Sequence, residues 1–115
     1  MPIAYHQLRG ATAVENELLA PGSGAPSSIS ISNAAAGTYV ARISLYIQDT
    51  ERAEKNNVAA TTLYLYRYLS IPQGVTLIFD KPEEISYNNK VYGLYLKIED
   101  PYATNQAIDV IVRTE

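Results

Sequence analysis

Thr61-Thr62-Leu63-Tyr64-Leu65-Tyr66-Arg67-Tyr68-Leu69-Ser70-Ile71 is the longest stretch of two-residue periodicity in the chain. Such alternation marks a strand, because successive side chains leave a pleated backbone on opposite faces. Read this way, Leu63, Leu65, Leu69 and Ile71 share one face with Arg67. Tyr64, Tyr66 and Tyr68 line the other face at steps of roughly 7 Å. Both faces are then apolar, and a strand of that kind is normally covered on both sides.

The same period recurs on either side. Ser28-Ile29-Ser30-Ile31-Ser32 alternates without error. Between Tyr39 and Gln48, Ala41, Ile43, Leu45 and Ile47 share one face, opposite Arg42, Ser44 and Tyr46. Val75 to Phe79 is a short strand. Tyr92, Leu94, Leu96 and Ile98 alternate against Gly93, Tyr95, Lys97 and Glu99; Ile108, Val110 and Val112 alternate against Asp109, Ile111 and Arg113. Ile3 to Leu8 and Thr12 to Leu19 read as further strands. Turn chemistry separates these runs: Pro21 to Pro26, Asn33 to Gly37, Asn56-Asn57, Pro72-Gln73-Gly74, Asn88-Asn89 and Asp100-Pro101. Gln48 to Ala60 is polar and carries Thr50-Glu51-Arg52-Ala53-Glu54-Lys55, which suits one helical turn; for want of an apolar stripe it reads as an exposed loop. Lys81 to Ile85 reads as a short turn, with Pro82 suited to a first helical position.

The pattern predicts an all-β chain: a single antiparallel β-sandwich, jelly-roll-like, of six to eight strands. One domain is expected over 1–115, with N-terminal strands or an arm at 1–19. A Pro/Gly/Ser loop follows at 20–27, and the main sandwich fills 28–115. A chain of 115 residues suits one domain. With 47% apolar and 18% charged residues it is too hydrophobic to be disordered.

The composition also narrows the chemistry. There is no Cys, so disulfides and thiolate metal sites are excluded. Met1-Pro2-Ile3-Ala4-Tyr5-His6 has neither the basic nor the apolar region of a signal peptide, and no run reaches the length of a membrane span. A protein made in a cytosol is expected. A net charge of −3 with scattered basic residues argues against nucleic acid and anionic membranes as partners.

No catalytic, metal or cofactor constellation emerges. His6 is the only histidine and reads as an ordinary strand residue. No serine sits in a Gly-x-Ser-x-Gly elbow. Asp80, Glu83 and Glu84 cluster near Pro82, where acidic residues decorate a solvated turn. The two glycines between Pro21 and Pro26 lack the Lys-Ser/Thr that a phosphate loop needs.

The anomaly is ten tyrosines with no tryptophan. Tyr64, Tyr66 and Tyr68 fall on one strand face, and Tyr46 and Tyr95 lie opposite the apolar face of their own strands. If those strands are neighbours, one sheet presents an aromatic field. Three readings stay open: a second buried layer, a protein–protein interface, or a stacking platform for carbohydrate or bases. Arg67, alone on an apolar parity, is either an edge residue with its head in water or half of an interface ion pair. The candidate interface is therefore Tyr46, Tyr64, Tyr66, Tyr68, Tyr95 and Arg67.

From about Leu19 onward the chain resembles small β-sandwich virion proteins of tailed bacteriophages. The resemblance rests on Ala20-Pro21-Gly22 leading to Ser28-Ile29-Ser30-Ile31-Ser32-Asn33, then on the strand ending Leu45-Tyr46-Ile47. Ile71-Pro72-Gln73-Gly74-Val75-Thr76-Leu77 and the final pair, Tyr92 to Ile98 and Ile108 to Arg113, complete it. The polar insertion from Asp49 to Ala60 departs from the compact version. The resemblance implies a non-enzymatic structural protein, a capsid decoration or cement protein that binds the major capsid protein or another virion protein, and possibly itself. A tail or head–tail accessory role is the neighbouring expectation, and a carbohydrate- or receptor-binding module the alternative. The implied location is a virion assembled in a host cytoplasm.

Overall fold

The computed structural model describes residues 3–10, 15–34, 40–80, 85–99 and 106–114. Among the described residues eight strands and one short helix follow one another: β1 (Ile3–Gly10), β2 (Glu15–Leu19), β3 (Pro26–Asn33), β4 (Ala41–Gln48), α1 (Thr50–Lys55), β5 (Thr62–Ile71), β6 (Thr76–Phe79), β7 (Gly93–Ile98) and β8 (Gln106–Thr114). They form two antiparallel sheets, β1-β8-β3-β6 and β2-β7-β4-β5. The molecule is a β-sandwich.

The pairing is nested. β4 pairs with β5, β3 with β6, β2 with β7 and β1 with β8. The chain behaves as one long hairpin, doubled back after β4 and rolled so that successive pairs fall in alternate sheets. Period-two patterning explains the rolling, since each strand has one apolar face to bury. Leu8, Ile29, Ile31, Ile108, Val110 and Val112 line the inner face of one sheet, and Ile43, Leu45, Leu94, Leu96 and Ile98 line the other; all are buried.

Both turns that combine proline with glycine form as their chemistry dictates. In Ala20-Pro21-Gly22-Ser23 the Ser23 N–H donates to the Ala20 carbonyl, and Gly22 has φ of +84°. That is proline and glycine at the two central positions of a type II turn. At Pro72–Val75 the Val75 N–H donates to the Pro72 carbonyl, with Gly74 at φ +79°. This second turn carries the chain from one sheet to the other, and Asn33 at the end of β3 grips it. The Asn33 N–H donates to the Val75 carbonyl, its own carbonyl accepts from Gly74 N–H, and its buried amide Nδ2 donates to the Ile71 carbonyl at 2.8 Å.

Three expectations need correction. First, Gln48 to Ala60 is not wholly an exposed loop: Thr50–Lys55 is helical and Ala53 is buried. Asp49 anchors the segment. Its backbone carbonyl accepts from Ala53 N–H, while its buried carboxylate accepts from Thr61 N–H at 2.6 Å, pinning the two ends of the excursion together. Only Ala53 needs burying, so no apolar stripe exists for the sequence pattern to reveal. Second, the strand covered on both faces is β4, not β5. β4 is central, and its run from Ile43 to Ile47 is buried throughout, while β5 is a largely exposed edge strand.

Third, β5 does not alternate. Ile43 pairs with Leu69 and Leu45 with Tyr66, so β5 advances three residues against two; Tyr46 pairs with Tyr64, so β5 then advances two against one. Two bulges result, and each reverses the parity that follows. Tyr68 adopts φ +60° within this irregular stretch. A regular strand would aim the Arg67 guanidinium into the core, where an unpaired charge is very costly; one residue in the left-handed region costs only about 1–2 kcal/mol. The bulged strand avoids the larger cost. The expected turns at 33–37, 81–85 and 100–101 lie wholly or largely outside the described residues, as do Glu83 and Glu84.

Candidate functional site

Tyr46, Tyr64, Tyr68 and Tyr95 assemble on the outer face of the β2-β7-β4-β5 sheet. The registers place Glu17, Tyr95, Tyr46 and Tyr64 in one row across its four strands. Tyr46 and Tyr95 stack with centroids 5.5 Å apart and planes 10° apart, and Tyr64 tilts against Tyr46 at 5.5 Å. Tyr46, in the middle, is thereby only 2% exposed although it points away from the core. Its hydroxyl donates to the Glu15 carboxylate. Burial first, and the neighbouring Glu15 second, push the Tyr46 phenol well above its ordinary pKa. Burial raises Tyr95 as well.

The next row holds Glu15, Lys97 and Ser44, with Tyr68 beyond. Ser44 is buried and its hydroxyl accepts from the Tyr68 N–H at 3.2 Å, satisfying the donor that the bulge removes from the ladder. Between Tyr64 and Tyr68 lies the Arg67 guanidinium, 4.5 Å from one ring centroid and 4.7 Å from the other. It donates to the Tyr68 hydroxyl at 2.9 Å, a bond that holds it in its charged form. Arg42 approaches the Tyr68 ring from elsewhere, at 6.0 Å. Cation and ring alternate along this edge, each holding the other in place.

Five of the six candidate residues are thus brought together, and one is not. Tyr66, paired with Leu45, turns to the core side and packs against Phe79 of the opposite sheet at 4.8 Å. The expectation that Tyr64, Tyr66 and Tyr68 share a face fails because of the bulge between Tyr64 and Tyr66. Of the two readings of Arg67, its side chain follows the first in being exposed. It belongs, however, to the tyrosine face and not to the apolar one.

The opposite face carries a feature that periodicity did not single out. Tyr5, Ile111, Ser30 and Ile78 form one row across β1-β8-β3-β6. Tyr5 is 71% exposed and Ile78 62%. The available signal was Ile78, which lies on the parity opposite Leu77 and Phe79 in a run apolar on both faces. His6 is placed on β1 with Nε2 3.0 Å from the Leu18 carbonyl, at the β2 bulge. Asp80 is exposed. Among the described residues no cluster of three His, Asp or Glu side chains could hold a metal ion, and no helix is long and apolar enough to cross a membrane. No protein-family model matches the chain, and neither does any curated protein.

Proposed function

We propose that this protein is a structural component of a phage virion, a capsid decoration protein that binds and stabilises the shell of major capsid protein. The observation that carries the reading is that exposed large apolar side chains lie on both outer faces of the sandwich. Tyr5 and Ile78 occupy one face, Tyr64 and Tyr68 the other. Rings with polar tips beside an arginine are the composition of protein interfaces. A molecule with two contact faces can bridge neighbours, as a cement protein must. The nested strand order supports the reading, because jelly rolls recur in viral capsid domains.

Jelly rolls also occur in lectins, and the exposed tyrosines keep a carbohydrate-binding module in play. Arg67 weighs against it. The guanidinium lies over the Tyr64 and Tyr68 rings, where a sugar would stack. A tail or head–tail accessory role would use the same two faces. Adding the protein to undecorated shells should raise their melting temperature, because a ligand that binds only the assembled form stabilises it. No binding and no shift would rule out decoration. Retention on a glycan array that is lost with Tyr64→Ala would favour the sugar-binding alternative.

A further inference from the structure

The tyrosine face is charged asymmetrically. Glu15 and Glu17 lie on β2 at one edge; Arg42 and Arg67 lie on β4 and β5 toward the other. Lys97, between them, is occupied by Glu99 at 3.3 Å. Glu17 and Arg67 are both exposed. The centre of the face is the Tyr46–Tyr95 stack, which straddles the boundary between the two middle strands, β4 and β7.

Such a face complements itself. A two-fold axis running parallel to the strands along the β7–β4 boundary lays β2 of one copy over β5 of another and keeps every residue at its level along the strands. Glu17 shares its level with Tyr64, and Glu15 shares its level with Ser44 and Tyr68. Arg67 sits between the Tyr64 and Tyr68 rings, so the axis brings the Arg67 guanidinium of one copy between the levels of Glu17 and Glu15 on β2 of the other, twice over. We infer that the partner of the tyrosine face is a second copy of this chain, packed face to face about that axis and held by reciprocal Arg67–Glu17 and Arg67–Glu15 contacts. The inference rests on reading this face as a protein contact surface and adds the identity of the partner; the Tyr5–Ile78 face is left free for the shell.

Four strands at sheet spacing give a patch roughly 19 Å wide, and eight residues of β4 about 27 Å long. That is toward the small end of specific interfaces, so the dimer should be reversible and depend on concentration. Steering by these opposite charges should make it weaken with salt.

Sedimentation equilibrium over a concentration series tests the arrangement. The wild-type chain should reach dimer mass, and R67E and E17R should each weaken association roughly tenfold or more. Mixing the two variants in equal amounts should strengthen association above that of either alone, since three of the four contacts in the mixed pair join opposite charges, against none in R67E and two in E17R. Circular dichroism melts establish that both variants are folded. If R67E unfolds, R67Q serves in its place for the loss of affinity, with the salt dependence of the wild-type dimer as the second readout. A wild-type monomer at millimolar concentration, a mass other than dimer, or a mixture no stronger than either variant would overturn the inference. A monomer that still raises the shell's melting temperature would leave decoration standing, whereas a dimer without effect on shells would do the reverse.

Discussion

Tyr46 shows how far a side chain's surroundings can depart from what its position in a strand suggests. It points away from the core, yet Tyr64, Tyr95 and Glu15 enclose it. Tyr87 is half-buried against the core, and burial pushes its phenol up to about 12. Both groups stay protonated in the fold where the unfolded chain, with its ordinary value of 10.0, would ionise. Their contribution to stability is therefore whole below pH 10 and is lost as pH rises through the folded values. Each phenol should make stability fall by about 1.4 kcal/mol per pH unit across that window. Urea unfolding at a series of alkaline pH values measures the slope. Tyr46→Phe and Tyr87→Phe should each make it shallower, and an unchanged slope would refute the assignment.

β5 is the element on which the site depends. Two bulges and the left-handed Tyr68 place Arg67 outward between two rings, and Ser44 satisfies the Tyr68 N–H. A β-branched residue is poorly suited to φ +60°, so Tyr68→Val should cost about 1–2 kcal/mol while Tyr68→Asn costs less in backbone strain. Ser44→Ala leaves a partly buried donor unsatisfied and should cost about 1–3 kcal/mol. Thermal or denaturant unfolding of the three variants measures these changes. Equal stability of Tyr68→Val and Tyr68→Asn would argue against the left-handed conformation. The alternation of Leu and Tyr made β5 legible as a strand. It misplaced Arg67 and Tyr66, because a bulge leaves no mark in hydrophobic period: it exchanges faces without changing residue types.

Across the molecule, the two sheets are joined where Asn33 grips the Pro72–Val75 turn. Asn33→Ala removes the amide that satisfies the Ile71 carbonyl and should cost about 1–3 kcal/mol in a single cooperative transition. Loss of Asn33→Ala stability below half a kcal/mol would show that the backbone bonds alone hold the corner. Period two and turn residues were enough to establish strands, a β-sandwich and the inward sets of Ile, Leu and Val, since these follow from local geometry and the burial of apolar surface. Which strands are neighbours, that Tyr46, Tyr95 and Tyr64 touch, that Glu15 and Glu17 face Arg42 and Arg67 across one sheet, and that Tyr5 and Ile78 share a row were settled only by tertiary structure. Pairing joins residues far apart in the chain, and its register depends on the competition among all possible partners, which no local pattern encodes.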